Sequence, residues 1–506
     1  MITKKKSDLR DKSRVIDVHK SSEWHEVNPF INGIYAAYIS GSLTTIQKKN
    51  LKVLLLDLYV AWTEGYKYIG MSFDDHKYKP KSRYNALHIS KKIIECAKKL
   101  SSLNLIRIHK GYYDKVAAFG YVSRIEPTEN LISLFKQAKF PDLAISYELN
   151  RETVELKDDQ KNLIDYKETN QTYSMRNVLT AYNELLKKTH IDCCHLKSPR
   201  LNRSSGRSVN LSQHSKFTKR VFNDRSWKKG GRFYGGFWQQ IPSDDRQFIR
   251  INGERTVEID YSGLHVVLLY AQKGINYWED VGDDDPYSIT VAGLSKGEAR
   301  SLGKLLLLMA INAKDEKKAY DALRSEVNSN EKLSFNVKLT NELLSDALSQ
   351  LKQRHPKIAD KLSTGVGICL QNVDSRITEA LIKSFTKDDI PLLAIHDSYI
   401  VPHQYKHDLF FEMEKAFIDH SNVDKYLKGD ADVWPKEMIK VKQKGYDDEY
   451  LADLDSAPNA DTAYNEGVFA QHQKMVEYIE SHVCYEYRQR LEKFRADLEI
   501  LDQKKH

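Results

Sequence analysis

Two aspartates lie at the ends of apolar, strand-forming segments 137 residues apart. Asp260 follows Val257-Glu-Ile259, and Asp397 follows Ile395-His. A carboxylate at the end of a buried strand is costly to desolvate unless it holds a cation. Two such strand ends in one sheet can hold a pair of Mg²⁺ ions, the arrangement used for in-line phosphoryl transfer. The sequence therefore predicts that Asp260 and Asp397 meet at a site for two divalent ions, Mg²⁺ or alternatively Mn²⁺.

A second pattern lies between these aspartates, where four residues follow one another at intervals of four positions: Arg300, Lys304, Leu308 and Asn312. On a helix this spacing places them along one face. Arginine offers phosphate oxygens a planar fork and lysine a point charge, so one end of the face could grip a triphosphate. The other end would then lie against the base and sugar. The competing interpretation is an ordinary surface stripe.

Basic and aromatic residues are concentrated between Lys187 and Arg232. This segment has thirteen Lys and Arg against two Asp, a net charge of +11, although the whole chain is only +8. Seven aromatic residues lie in or just after it: Phe217, Phe222, Trp227, Phe233, Tyr234, Phe237 and Trp238. The pattern predicts a surface for a nucleic-acid backbone with stacking groups, and a solvated basic linker is the alternative.

Composition indicates a folded protein of several domains. The 506 residues are 41% hydrophobic and 29% charged, without an apolar run long enough to span a membrane or a signal-peptide pattern. Five scattered cysteines favour a reducing compartment, so we expect a cytoplasmic protein without membrane partners.

The first 145 residues show the element order of a winged helix-turn-helix. The spacing predicts helices over 46–64 and 83–101, a strand over 68–73, and two strands around a turn near Gly111. Such modules contact DNA or serve as protein-interaction platforms, and both possibilities stay open. We expect four regions: this module (1–145), a thumb-like and basic template/primer-contact region (146–249), palm and fingers (250–420), and a C-terminal helical extension (421–506) with a charged helix over 466–503.

Several motifs resemble those of family A DNA polymerases and single-subunit phage-type RNA polymerases. Asp260-Tyr-Ser-Gly-Leu-His265 resembles their first palm motif, Ile395-His-Asp-Ser398 their third, and the Arg300 to Ala313 spacing their fingers helix. Supporting matches are Gly231-Arg-Phe-Tyr-Gly235, Gln239-Gln-Ile-Pro242 and Leu370-Gln371. The resemblance, which covers residues 200–420, implies an α+β fold with a right-hand polymerase core: an antiparallel palm sheet with helical fingers and thumb.

The resemblance also implies residue roles. Asp260, Asp397 and the carbonyl of Tyr261 would hold the metal ions. Arg300 and Lys304 would bind the nucleotide phosphates, with Lys304 as general acid, and Leu308, Asn312, His265 and Tyr261 would complete the nucleotide site. The template and primer contacts would be Arg232, Tyr234, Gln240, Gln371 and His396.

The departures from the family concern base and sugar selection. Asn312 and Ala313 replace a Tyr-Gly pair, His265 replaces the glutamate that blocks a ribose 2′-hydroxyl in the DNA enzymes, and the third motif ends in Ser398. All three lean toward tolerance of ribonucleotides. The expected function is a template-dependent, DNA polymerase-like nucleotidyltransferase acting on a DNA primer-template with nucleoside triphosphates. The alternatives are an RNA polymerase or primase, with RNA as a partner, and an inactive nucleic-acid sensor with a polymerase fold.

Overall fold

The computed structural model describes residues 13–38, 43–114, 119–148, 150–203, 208–277, 285–330, 333–421, 438–442 and 473–503. Helices alternate with several small sheets, and most strand pairs are antiparallel. The fold is therefore mixed α and β, as expected. Within the described residues, no helix has both the length and the apolar composition that crossing a lipid bilayer requires.

The N-terminal region contains four helices and eight short strands. The helices are α1 (Val27–Tyr38), α2 (Thr45–Thr63), α3 (Lys92–Ser102) and α4 (Glu129–Phe135). The strands are β1 (Ser13–Val15), β2 (Lys20–Ser21), β3 (Tyr68–Gly70), β4 (Ile106–His109), β5 (Tyr112–Asp114), β6 (Phe119–Tyr121), β7 (Arg124–Pro127) and β8 (Ser146–Tyr147). A sheet of order β1-β3-β7-β4 packs with α2 and α3 around a core that extends from Val27 to Ile145.

The predicted order of helix, strand, helix and hairpin is present, but the second helix is shorter than predicted. It begins at Lys92, not at position 83. Asn85 explains the difference, because its side chain accepts from the Ile89 N–H at 2.9 Å and donates to the Ile89 carbonyl at 2.8 Å. These bonds favour a turn, and His88 has a left-handed φ of 52°. Leu87 and Ile89 are buried, but in a turn.

The middle region joins a long helix to a second four-stranded sheet. Helix α5 (Asn170–Lys188) and the short α6 (Ser243–Arg246) are its α-helices. Its strands are β9 (Val154–Lys157), β10 (Leu163–Ile164), β11 (Ile191–Cys193), β12 (Arg200–Asn202), β13 (Ser208–Asn210), β14 (Lys219–Asn223) and β15 (Ser226–Tyr234). The sheet has the order β10-β9-β14-β15, with β9 and β14 parallel.

A six-stranded sheet lies at the centre of the remaining chain. Its strands are β11 with β16 (Ile249–Ile251), β17 (Glu254–Tyr261), β18 (Leu393–Ile395), β19 (Ser398–Pro402) and β20 (Ile439–Val441). The order is β11-β16-β17-β19-β18, and β20 also pairs with β17. Every pair is antiparallel. Strand β17 pairs with β16, which directly precedes it, and with β19 and β20, which come from distant parts of the sequence.

Helices cover this sheet and share its core, which extends from Val154 to Leu491. They are α7 (Leu264–Ala271), α8 (Lys296–Asn312), α9 (Glu316–Ser329), α10 (Asn341–Arg354), α11 (Gly367–Lys387), α12 (Lys406–Ser421), α13 (473–481) and α14 (Tyr485–Gln503). The C-terminal helix predicted over 466–503 is thus two helices within the described residues, with a break at 482–484. The right-hand arrangement and the four domain boundaries stay predictions.

Candidate active site

Strand β17 delivers Asp260 to the centre of the sheet. Val257, Ile259 and Tyr261 are fully buried, whereas Glu258 and Asp260 alternate with them on the other face. The register pairs Asp260 with Ser398 of β19, the residue directly after Asp397. Asp260 therefore lies beside the turn that carries Asp397, close enough for Asp397 to raise the pKa of Asp260.

Asp397 occupies the tip of a two-residue hairpin. Ile395 of β18 pairs with Ser398 of β19, which leaves His396 and Asp397 as the loop. Such loops require a positive φ, and His396 adopts φ 59°. The Asp397 carbonyl accepts from the Tyr261 N–H at 3.0 Å, which ties the tip to the end of β17. Backbone bonds thus hold the two acidic positions together.

The carboxylate of Asp260 is partly desolvated and has one ammonium partner. Burial raises its pKa, and Asp397 and Glu258 add repulsion in the same direction, whereas Lys442 opposes the rise. Lys442 Nζ lies 3.1 Å from Asp260 Oδ2. A site that accumulates negative charge in this way favours the binding of a cation.

Glu258, two residues before Asp260 on β17, is held in place by two side chains. Arg246 binds its carboxylate through two nitrogens at 2.7 and 2.9 Å, and the Ser398 hydroxyl donates to it at 2.6 Å. Ser398 is only 1% exposed. The serine of the third motif is therefore a structural partner of Glu258, and this contact gives no support to the predicted link between Ser398 and ribonucleotide tolerance.

Another carboxylate near the site, that of Asp374 in α11, was not predicted as a site residue. It is 1% exposed, and Arg232 Nε donates to its Oδ2 at 2.7 Å. Burial raises the pKa of Asp374 to about 6, with Arg232 opposing and Asp397 contributing to the rise. Its Oδ1 is buried and lacks a hydrogen-bond partner among the described residues. A signal was present in the sequence, because Asp374 follows Leu370 by one turn on the apolar face of α11.

His265 contacts the same guanidinium of Arg232 that binds Asp374. Its Nε2 is 3.4 Å from an Arg232 nitrogen, and arginine can only donate, so this ring nitrogen accepts. Burial and the positive charge of Arg232 lower the pKa of His265 to about 4. Near neutral pH the imidazole is therefore uncharged. Arg232, predicted to contact template or primer, is largely engaged inside the protein and 18% exposed.

The basic face predicted on α8 exists and is exposed to solvent. Arg300, Lys304, Leu308 and Asn312 are all exposed, and Leu308 retains 48% of its accessible surface. Arg300 pairs with Asp285 at 2.8 Å. A single exposed leucine is ordinary on a protein surface, so the charges of this face are its informative feature.

Tyr287 connects the basic face of α8 to the loop that follows β17. The Arg300 and Lys304 cations lie 5.4 and 5.7 Å from the centre of its ring. Its hydroxyl lies 3.3 Å from the position that a Cβ on Gly263 would take, three residues after Asp260. Gly303 permits the approach, since a Cβ there would lie 2.2 Å from the Tyr287 carbonyl oxygen. The first turns of α8 are therefore packed beside the loop that follows β17.

The far end of the same face meets α11. The Asn312 amide donates to the Leu308 carbonyl at 2.8 Å, and a Cβ on Gly367 would lie 2.2 Å from Asn312 Oδ1. Gln371 is half-buried in the first turns of α11, one turn before Asp374. Asn312 thus helps position the helix that carries both residues.

The other predicted contacts fall into two places. Tyr234 is 38% exposed, and its ring centre lies 6.1 Å from that of His396 at the hairpin tip. Gln240, in contrast, lines a polar cavity of about 290 Å³ with Arg14 and Tyr66 of the N-terminal region. None of the other predicted site residues lines that cavity, so Gln240 is not grouped with the acidic pair. Tyr261 is 1% exposed, which leaves only its backbone for the predicted ligand role.

The prediction of an aromatic stacking surface in the basic segment is wrong. Phe217, Phe222, Phe233, Phe237 and Trp238 are buried, and of the seven aromatic residues only Tyr234 is exposed, with Trp227 half-buried. Several cations are used internally as well: Arg220 pairs with Glu379 at 2.6 Å, and Lys216 donates to the Thr189 carbonyl at 2.5 Å. Three consecutive residues of β14, Arg220 to Phe222, are buried, as are Gly230, Gly231 and Phe233 of β15, which the composition alone did not reveal.

The oxygen donors suit a hard cation of few protein ligands. Mg²⁺ is typically held by one or two carboxylates and completes its shell with water and substrate phosphates. Asp260 and Asp397 supply two carboxylates, and the Tyr261 backbone is adjacent. Among the described residues, no group of three or more His, Cys, Asp or Glu is arranged to hold a metal by itself. A tightly coordinated structural metal is thus not indicated there.

Comparison with known proteins adds no family to this geometry. No model of a known protein family matches the chain. No curated protein matches it either.

Proposed function

We propose that the protein is a template-dependent nucleotidyltransferase whose two acidic residues, Asp260 and Asp397, hold divalent cations. One observation carries the proposal: strand pairing brings the end of β17, with Asp260, beside the hairpin turn that carries Asp397, 137 positions away. Asp374, which has an unpartnered buried oxygen, lies close enough to Asp397 for that residue to raise its pKa. When bound, Mg²⁺ would supply neutralisation of charge on the reacting phosphates.

The basic face of α8 supports the nucleotide side of the proposal. Arg300 and Lys304 are exposed, and Tyr287 packs them beside the loop that follows Asp260. Their positive charges would bind and orient a triphosphate. Lys304, which has no ion pair among the described residues, would donate a proton to the departing pyrophosphate. Leu308 and Asn312, farther along the face, would lie against the base and sugar.

Exposed groups around the hairpin tip would contact the primer and template. Tyr234 and His396 form a pair of rings at the tip, and Gln371 lies one turn before Asp374 on α11. Arg232, held by Asp374, would act mainly by positioning this surface. The N-terminal region, with its winged-helix-like element order, is proposed as a further contact for DNA. These features favour polymer synthesis over transfer to a small acceptor.

A second candidate is a nucleic-acid sensor that has a polymerase-like fold and lacks catalysis. The observation that favours it is the ion pair between Lys442 and Asp260 at 3.1 Å, because a permanent ammonium partner would replace a metal ion. DNA synthesis is the preferred product assignment, and an RNA polymerase or primase is the alternative within the same chemistry. His265 has an uncharged imidazole at the position where the resembling DNA polymerases carry a glutamate that blocks the ribose 2′-hydroxyl. This position is therefore compatible with ribonucleotide substrates.

A primer-extension assay separates these candidates. The purified chain would be incubated with Mg²⁺ and labelled dNTPs or rNTPs, with and without primer and template. Metal-dependent extension that D260N and D397N abolish supports the proposal. The matched control is D360N, which removes an exposed carboxylate paired with Lys273. Nucleic-acid binding without extension in any combination would contradict nucleotidyl transfer and favour the sensor.

A further inference from the structure

We propose that Lys442 is a positioning residue of the acidic site: its ammonium group holds Asp260 in the metal-free protein and competes with the divalent ion for it. This inference rests on the proposed nucleotidyltransferase site. Lys442 Nζ lies 3.1 Å from Asp260 Oδ2 and 3.8 Å from Glu258 Oε1. A positive charge is therefore already in contact with one of the two carboxylates proposed to hold the divalent ion.

The backbone of β20 aims this side chain. Strand β20 pairs antiparallel with β17, and the Lys442 N–H donates to the Glu258 carbonyl at 2.9 Å. Residues opposite each other on paired strands share a face, so Lys442 lies on the face of Glu258 and Asp260. The arrangement is built by strand pairing, whereas a chance contact between two flexible side chains would lack such support.

Glu258 and Asp260 differ in how firmly their partners hold them. Glu258 is 4% exposed and is held by Arg246 and Ser398. Asp260 is 20% exposed, and among the described residues Lys442 is its only ion-pair partner. A partly exposed pair of this kind contributes little free energy. Metal binding can therefore displace the ammonium, which is 38% exposed and carried on a flexible stem.

Lysine suits such a replaceable role. Its compact charge neutralises Asp260 without the two-point grip that Arg246 has on Glu258. With the lysine in place, Asp260 and Asp397 can lie close together before an ion arrives. When the ion binds, the ammonium moves toward solvent. The lysine would thus preserve the geometry of the site at the cost of some metal affinity.

The test is a Mn²⁺ titration of the full chain, followed by the paramagnetic resonance of free Mn²⁺. K442Q and K442M should bind Mn²⁺ about threefold more tightly, because a partly exposed competing ion pair is lost. K442R should bind Mn²⁺ more weakly than the wild type, because the two-point fork of arginine would hold Asp260 more firmly. The control is K352Q, which breaks a surface pair of similar exposure with Glu316 and should leave Mn²⁺ binding unchanged.

The outcomes separate this inference from the proposed function. Unchanged or weaker Mn²⁺ binding by both K442Q and K442M, together with loss of binding in D260N, would overturn the role of Lys442 and keep the metal site. Wild-type binding that D260N does not reduce would overturn both. A weaker affinity in K442R than in the wild type would support competition, since the stronger fork of arginine would hold Asp260 more firmly.

Discussion

The acidic pair and the basic face of α8 were predicted from equally short motifs, yet the protein holds them in different ways. Asp260 and Asp397 lie within an antiparallel sheet, where strand register and the Tyr261 to Asp397 backbone bond fix them. Arg300 and Lys304 project from one helix into solvent, with a single aromatic ring beneath them. The carboxylates are positioned by backbone, and the cations by side-chain packing.

This difference indicates a division of labour. Metal ligands must be correctly placed before the ion binds, because small errors in ligand position weaken coordination. Phosphate-binding groups can adjust to the substrate, so an exposed helical face suffices. Substitutions in the sheet should therefore remove activity outright, whereas those on α8 should reduce it by degrees.

The largest effect is expected from the sheet. D260N or D397N should lower nucleotide incorporation by on the order of a thousandfold, because each removes a charged metal ligand worth several kcal/mol at the transition state. Single-turnover primer extension measures it. D360N, the exposed control, should retain wild-type rates, and a D397N protein with more than a tenth of them would show that the carboxylate is not a metal ligand.

On the helical face, K304A should lower kcat/KM by on the order of a hundredfold, the size of effect seen when one charge-stabilising group is removed. Steady-state extension at varied nucleotide concentration gives this value. K317A changes an exposed lysine on the neighbouring α9 and serves as the control. Equal losses in K304A and K317A would reduce the α8 face to an ordinary surface stripe.

A third prediction concerns Asp374, whose pKa of about 6 exceeds its unfolded value of 3.8. Between these two values the folded state binds more protons, so the contribution of Asp374 to stability falls as pH rises. The unfolding free energy of the wild type, minus that of D374N, should therefore fall by on the order of 2 kcal/mol from pH 4 to pH 7. Urea denaturation at several pH values measures the difference. A flat or rising profile would refute the elevated pKa.

The smallest effect is expected at His265. H265E should increase the preference for dNTPs over rNTPs by about tenfold, corresponding to roughly 1.4 kcal/mol of discrimination. H265Q, which adds no charge, is the matched control, and competition between the two nucleotide types gives the ratio. If H265E and H265Q have the same ratio, the position does not act on the sugar.

The acidic pair was predictable because strand-forming runs and their ends are local features of the sequence. Helix α8 was predictable for the same reason, because residues that repeat every four positions lie on consecutive turns of one continuous segment. The identity of the sheet as a right-hand palm is a separate matter that these local features do not decide. Strand order comes from pairings such as β17 with β20, which join segments with no common local signal.

The site residue that the sequence did not reveal and the two segments that were predicted wrongly share a physical cause. Asp374 and Arg232 are 142 positions apart, and their pairing depends on how α11 packs against β15. Burial of the basic segment depends on β14 and β15 lying between two layers. The helix predicted to begin at position 83 failed because the side chain of Asn85 competes for backbone groups. In each case a tertiary contact or a side-chain bond overrode the local pattern.

The central claim is that Asp260 and Asp397 together hold divalent ions, and localised cleavage of the chain tests it most directly. Fe²⁺ would replace Mg²⁺, and with ascorbate and peroxide it would release hydroxyl radicals that cut the nearest backbone. The account predicts two cuts, one within residues 258–262 and one within 395–399, and the loss of both in D260N. Cleavage at only one segment, or cleavage that D260N leaves unchanged, would contradict it.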